Sequence, residues 1–391
     1  MKSELVQKAY EIAKERYAAM GVDTEKVLEQ MQDFHLSLHC WQADDVKGFE
    51  VQAGELTGGI QATGNYPGAA RNIDELRADI VKAKSYIPGT HRLNLHEIYG
   101  DFKGKVVDRD EVTPEYFESW IEWAKENNMK LDFNSTSFSH PKSGNLSLAN
   151  PDEGIRNFWI EHTKRCREIS EAMGKAQGDP CIMNLWVHDG SKDQTVNKYL
   201  YRSLLKDSLD KIFATKYDNM KDCIESKVFG IGLESFTVGS NDFYTAYAAQ
   251  NNKLITLDTG HFHPTESVAD KVSAMLLYVP ELMLHVSRPI RWDSDHVTIM
   301  DDPTLDLFQE IVRAGALDRV HYGLDYFDAS INRIGAYVIG SRAAQKCMLR
   351  ALLEPLATLR KYEAEGKGFE RLALLEEEKA IPSWGASTSI W

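Results

Sequence analysis

Short apolar runs alternate with longer amphipathic stretches along the whole chain. Eight runs recur: LSLHCWQ (36–42), RLNLHEIY (92–99), KLDFNST (130–136), CIMNLWV (181–187), CIESKVF (223–229), KLITLDTGHF (253–262), LMLHVSRP (282–289) and RVHYGLDYFD (319–328). Runs this short, separated by helix-length segments, predict buried parallel strands joined by crossover helices. The intervening helical patterns include NIDELRADIVKAKSYI, TPEYFESWIEWAKENN, DEGIRNFWIEHTKRCREISEAMG, NKYLYRSLLKDSLDKIFATKY, SVADKVSAMLLYV and TLDLFQEIVRAG. Two carry start signals, Thr113 as a cap before Pro114 and Asp152 opening a helix after Pro151. Strand then helix, eight times over, predicts an α/β fold of the (β/α)8 TIM-barrel kind, with a doubly wound open sheet as the competing architecture. An amphipathic N-terminal helix precedes the first run. The expected division is a barrel domain over 1–340 and a C-terminal helical extension over 341–391, the latter suited to subunit contacts.

Polar residues favour the barrel. His39, Trp41, His96, Asn134, Trp186, Glu225, Lys227, Asp258, His261, His285, Asp325 and Phe327 all fall in or just after the late part of a predicted strand. In such barrels the catalytic groups gather at the C-terminal mouth. The densest stretch, 253–296, holds Asp258, His261, His263, His285, Asp293 and Asp295. One Asp at a strand end is an ordinary helix cap. Two Asp at i and i+2 in WDSDH differ, because alternation on an extended segment aims both carboxylates the same way and like charges that close call for a cation. Glu225, Asp258, His285 and Asp325, from strands five to eight in turn, form one expected cage for a hard or borderline ion such as Mn²⁺, Mg²⁺, Co²⁺ or Zn²⁺. His261, Asp293 and Asp295 form a second, nearer solvent, and two neighbouring metals are a recognised catalytic device. On strand five, Glu225 and Lys227 at i and i+2 are expected to set an ammonium beside a carboxylate.

Composition narrows the partners. A formal charge of −14 opposes nucleic acid and anionic membranes. The longest apolar stretch is broken by Pro280 and Glu281, so no membrane span is expected, and the charged first helix lacks the apolar core of a secretory signal. Five scattered cysteines without a CxxC fit reduced thiols in a cytoplasmic protein. Two glycine-rich pieces, ELTGGIQATGNYPG (55–68) and FGIGLESFTVGSN (229–241), have neither the P-loop ending nor the dinucleotide spacing, and are expected as loops. The first is a candidate mobile wall over the mouth.

GGIQATGNYPG, RLNLHEIY, ESKVFGIGLESFTVGSN, LDTGHFHPTE, LHVSRPIRWDSDH and GLDYFDASINRIGA together closely resemble the L-rhamnose isomerase family, and the likeness runs over essentially the whole chain. The E-x-K and D-x-D pieces are similar to those of xylose isomerase. The resemblance implies a cytoplasmic homotetramer that interconverts L-rhamnose and L-rhamnulose and needs a divalent metal, usually Mn²⁺. It implies a structural metal on Glu225, Asp258, His285 and Asp325, and a catalytic metal on His261, Asp293 and Asp295. It implies that Lys227 and His96 contact substrate oxygens, with Lys227 counted among the catalytic groups. It further implies an apolar pocket of Val46, Leu56, Ile60, Tyr99, Trp186 and Phe327. Trp391 ends the chain earlier than the likeness leads one to expect. The expected chemistry is a 1,2-hydride shift on the open-chain sugar. Alternatives are an isomerase or epimerase of the same barrel group for another sugar, a metal-dependent hydrolase, and a sugar-binding protein. The hydrolase would want more basic residues at the strand ends than Lys227, Arg288 and Arg291, and a binding protein needs no paired cation cages.

Overall fold

Strands with no exposed face can only form an inner layer, and the burial of the eight runs shows this. The computed structural model describes residues 3–51, 62–227 and 234–381. Its barrel strands are β1 (Leu36–His39), β2 (Arg92–His96), β3 (Lys130–Ser135), β4 (Cys181–Trp186), β5 (Met220–Glu225), β6 (Leu254–Asp258), β7 (Leu282–Val286) and β8 (Val320–Leu324). Every residue of β1, β6 and β7 is buried, and the others have at most one position that is not. Each strand pairs in parallel with its sequence neighbours, and β8 closes on β1 through Leu36 opposite Tyr322. The architecture is therefore the closed eight-stranded parallel barrel rather than the open sheet.

Helices α1 (Ser3–Ala19) and α2 (Thr24–Gln32) come first. The outer ring follows as α3 (Ile73–Lys84), α4 (Glu118–Glu126), α5 (Glu153–Gln177), α6 (Lys198–Ile212), α7 (Asn241–Asn251), α8 (Ala269–Leu276), α9 (Asp302–Arg313) and α10 (Arg333–Leu352). Helices α11 (Leu356–Ala364) and α12 (Gly368–Ala380) end the described chain. Asp152 caps α5 as expected, its carboxylate accepting from the Ile155 amide at 3.0 Å. Thr113 makes no side-chain cap; Pro114 opens a 3₁₀ turn, and α4 starts only at Glu118. Position 340 falls inside α10, which packs on α9 and α3 as the eighth ring helix, so the expected domain division runs through a helix.

Charge separates the two ends of the barrel. Near the N-terminal ends of the strands, cations and acids neutralise one another: Arg92 with Asp132, Arg167 and Lys253 with Asp222, Lys221 with Glu281. That is the stability face of such a barrel, and the opposite mouth carries the chemistry. All five cysteines are buried and unpaired. Among the described residues no helix is long and apolar enough to cross a membrane. Most of the first glycine-rich piece (52–61, with Leu56 and Ile60) and part of the second (228–233) lie outside the described residues.

Candidate active site

The last four strands deliver acids and imidazoles to one point. Glu225 ends β5 and Asp258 ends β6; His285 stands opposite Asp258 in register on β7; Asp325 directly follows β8. Glu225, Asp258, His285 and Asp325 offer ligand atoms all within 4.8 Å of one another. The Nδ1 atom of His285 lies 3.1 Å from Glu225 Oε1, 3.3 Å from Asp325 Oδ2 and 3.9 Å from Asp258 Oδ2. One N–H cannot serve three carboxylates, and the surplus negative charge in a buried space calls for a cation.

Each carboxylate is tied back by one oxygen and presents the other. Glu225 Oε2 accepts from Asn184 at 2.6 Å, and Asn184 is itself fixed by the Thr256 hydroxyl at 2.6 Å. Asp325 Oδ1 accepts from the Trp41 indole at 2.9 Å, and Asp258 Oδ1 from the Gly260 amide at 2.6 Å. The other Asp258 oxygen, Oδ2, is buried with no hydrogen-bond partner among the described residues. Backing of this kind orients metal ligands, and the residues fit a hard divalent ion.

A second group adjoins the first. Asp258, His261 and Asp293 again lie within 4.8 Å, so Asp258 belongs to both. His261 Nε2 is 2.9 Å from Asp293 Oδ2, and its Nδ1 is 3.4 Å from Glu225 Oε1. Gly260 has a steric reason to be glycine: a Cβ there would stand 2.5 Å from Asp293 Oδ1 and 3.2 Å from Asp258 Oδ1. Gly260→Ala is therefore expected to push Asp293 aside and weaken cation affinity at this second group by about tenfold or more, read as a shift in a metal titration with the thermal midpoint nearly unchanged; unaltered affinity would refute the steric reading.

The electrostatics agree. Burial opposes charge on His285 and His261, yet the surrounding carboxylates outweigh it and raise both imidazoles well above their usual range. Burial, then neighbouring negative charge, lifts Asp258 and Asp295 far above ordinary carboxylates. Asp325, despite burial, is held well below by its bond to His285. The site attracts positive charge, and a divalent ion competes there with protons. A third group, Glu97, His162 and Cys166, is different. The Arg109 guanidinium stands 3.5 Å from Glu97, and both His162 nitrogens face backbone carbonyls, so its charge and donors are already taken.

Beside the paired groups opens a recess at the mouth of the barrel. Its apolar side comes mainly from the first four βα segments, through Trp41, Val46, His96, Phe138 and Trp186, with Phe327 added from β8. Among the described residues neither ring nitrogen of His96 has a partner, and burial pulls its pKa down to about 3, leaving a neutral imidazole that presents one donor and one acceptor.

Val46, His96, Trp186 and Phe327 line the recess, while Tyr99 does not; its hydroxyl donates to Asp44 Oδ1 at 2.7 Å. Lys227 lies beyond the end of β5 at Glu225, so strand alternation does not govern it. Its ammonium is buried against Glu234 at 2.9 Å and the His188 carbonyl. Asp293 and Asp295 likewise follow a strand that ended at Val286, and Asp295 has φ of 45°. Both line the recess, but Asp295 stands outside both cation groups. His263 is exposed and bonds to Thr265. Asn184, Thr256, Gly260, Thr136 and Phe138 were not singled out by sequence. A polar Asn inside the apolar run CIMNLW was the one available signal.

Fold and site define an enzyme of the (β/α)8 class whose mouth joins a cluster able to hold divalent cations to an aromatic-lined recess. A solved L-ribulose 3-epimerase shares the fold, with a TM-score of 0.50 at 11% identity over 85% of this chain and 97% of that one. The model of the L-rhamnose isomerase family matches residues 4–391. The L-rhamnose isomerase of Bacteroides thetaiotaomicron is 84% identical over 385 residues, covering 98% of this chain and 92% of its own length. That of Rhodopirellula baltica is 55% identical over 380 residues, covering 96% and 89%. The chain belongs to the L-rhamnose isomerase family and is an aldose–ketose isomerase.

Proposed function

We propose that this enzyme interconverts L-rhamnose and L-rhamnulose at a pair of divalent cations, Mn²⁺ in preference to Zn²⁺, Co²⁺ or Mg²⁺. The reading rests on one observation above all: three carboxylates, each tied back by one oxygen, aim the other at a point shared with an imidazole. Glu225, Asp258, His285 and Asp325 would hold one ion, and His261, Asp293 and Asp258 the other, with Asp295 alongside. Bound there, the ions supply Lewis-acid polarisation of the sugar carbonyl and acidify the neighbouring hydroxyl.

The residues themselves bind and orient. His96 offers a neutral donor and acceptor to a sugar hydroxyl, and Trp41, Phe138 and Trp186 exclude water from one side. Asp295, in the recess but outside both groups, is placed to carry a proton between O2 and O1. The hydrogen on carbon passes directly between C2 and C1, as a hydride. Exposed Phe369 and Leu372 on α12 support subunit contacts by the C-terminal helices in a cytoplasmic homotetramer.

The test is ketose formation from L-rhamnose with purified protein, before and after a chelator, with metal analysis alongside. Activity lost on chelation and restored by Mn²⁺, with L-rhamnose faster than L-mannose, L-lyxose or D-allose and no solvent deuterium in the product, is expected. Full turnover by metal-free protein would overturn the cation role, and deuterium at C1 the hydride route.

A further inference from the structure

The barrel closes on its shortest strand. β1 pairs with β8 at two positions, Leu36 with Tyr322 and Ser37 with Gly323, whereas β7 and β8 pair at five. Towards the mouth, Leu38 and His39 go on pairing with β2 but have no ladder partner on β8. An open seam of this kind leaves peptide groups without partners and the chain beyond it free to shift.

Side chains close it instead. Burial pulls the His39 pKa down to about 4, so the ring is neutral with one N–H. That N–H, on Nε2, donates to the Tyr326 carbonyl at 2.5 Å, and Nδ1 is left buried with no partner among the described residues. Gln42 pairs as a strand would: its amide donates to the Asp328 carbonyl at 2.9 Å and accepts from the Asp328 N–H at 2.8 Å. Between them, the Trp41 indole holds Asp325 Oδ1. Helix α10 fastens both edges of the seam. The Tyr337 hydroxyl donates to the His39 carbonyl at 2.6 Å, and the Tyr326 hydroxyl to the Ala336 carbonyl at 3.0 Å, packed so closely on Gly340 that a Cβ has no room there. From the other side, the Asp325 N–H donates to the Val286 carbonyl at the end of β7 at 3.1 Å. His39 and Gln42 are 0% and 1% exposed, and among the described residues the recess and both cation groups are built without them. Polar side chains buried this fully, one with a nitrogen left unpaired, cost a fold more than apolar ones of the same size. Their bonds to the backbone of 326 and 328 are what apolar residues could not supply.

We propose that His39 and Gln42 are positioning residues for the first cation group: they stand in for the ladder missing at the seam and fix the segment 325–328, so that the Asp325 carboxylate meets those of Glu225 and Asp258 and the imidazole of His285. The inference rests on that group holding a divalent ion.

The experiment titrates Mn²⁺ into the metal-stripped full chain, counting the free ion by its electron paramagnetic resonance signal, with thermal midpoints measured in chelator. One background is Asp293→Asn, which disables the second group and leaves the four ligands of the first in place. There, Gln42→Leu and His39→Phe should each weaken the remaining ion about tenfold or more. His39→Gln, which returns an N–H to the place of Nε2, should recover most of that loss. The other background is Asp325→Asn, where neither Gln42→Leu nor His39→Phe should weaken binding further. Lower midpoints with unchanged affinity in the first background would mean a merely structural role and overturn the proposal, as would an equal loss in both backgrounds. Should Gln42→Leu not fold, the His39 variants decide, and equal affinity in His39→Phe and His39→Gln overturns it. A wild type that takes up no Mn²⁺ removes the cation reading and this inference with it; a wild type that binds two ions, with variants that bind the first as tightly, overturns this inference alone.

Discussion

Asp258→Asn is expected to empty both cation sites with one substitution. The residue caps β6, keeps one oxygen on the Gly260 amide, and lends the other to two groups of ligands at once. Asparagine matches its shape but not its charge, and a neutral amide oxygen is a poor replacement in a cage whose remaining members are acids and imidazoles. Metal content should fall from two equivalents towards none, and kcat by at least about 10³-fold, the scale of losing several kcal/mol of transition-state charge stabilisation. Asp293→Asn, which touches only the second group, should lose one equivalent. Removing negative charge from a crowded site also means that metal-free Asp258→Asn should unfold no lower than metal-free wild type. Retention of one firmly held ion by Asp258→Asn would break the claim that the ligand is shared.

Arg109→Met should produce the largest loss of stability. The guanidinium is buried and bonds to Glu50 through Nε at 3.1 Å and Nη2 at 2.6 Å; it also donates to the carbonyls of Phe138 at 2.7 Å and Ser139 at 3.1 Å and faces Glu97 at 3.5 Å. Methionine fills the volume but leaves two interior carboxylates uncompensated, a cost of about 3–5 kcal/mol. The deficit should depend on pH. Burial already raises Glu97, against the pull of Arg109, to about 7, whereas an unfolded Glu titrates near about 4.3. An acid whose folded-state pKa exceeds its unfolded value costs the fold stability as pH rises through that window, and losing Arg109 raises the folded value further. Unfolding measured from about pH 8 down to about pH 5 should therefore show the gap between variant and wild type narrowing on acidification. A gap of constant size would mean that Glu97 is not the source.

How much of this was legible in the sequence depended on which rule governed each residue. All eight strands were visible because buried parallel strands are apolar throughout, but their ends were set too late. Cys40–Gln42 and Glu97–Tyr99 continue the apolar run yet fold into single 3₁₀ turns at the mouth. Period-two reasoning does not reach past those ends, so it gives the wrong reason for Asp293 and Asp295. Glu225, Asp258, His285 and Asp325 were found because each sits in the last turn of regular structure or one step beyond it, where strand order alone fixes position. Asp258's membership in two groups and Tyr99's attachment to Asp44 depend on where the irregular segments carrying Asp293 and Asp44 come to lie, which no periodicity encodes.

The division of the mouth carries an evolutionary consequence. Chain from the first half of the barrel supplies most of the wall, and chain from the second half supplies the charged cluster. Most of the recess wall and the charged cluster therefore lie on different lengths of polypeptide, tied together where Asn184 and Trp41 of the front half hold Glu225 and Asp325. A hybrid joined between β4 and β5, taking its front from one relative and its back from another, should inherit its taste for substrates from the former parent and its preference among metals from the latter.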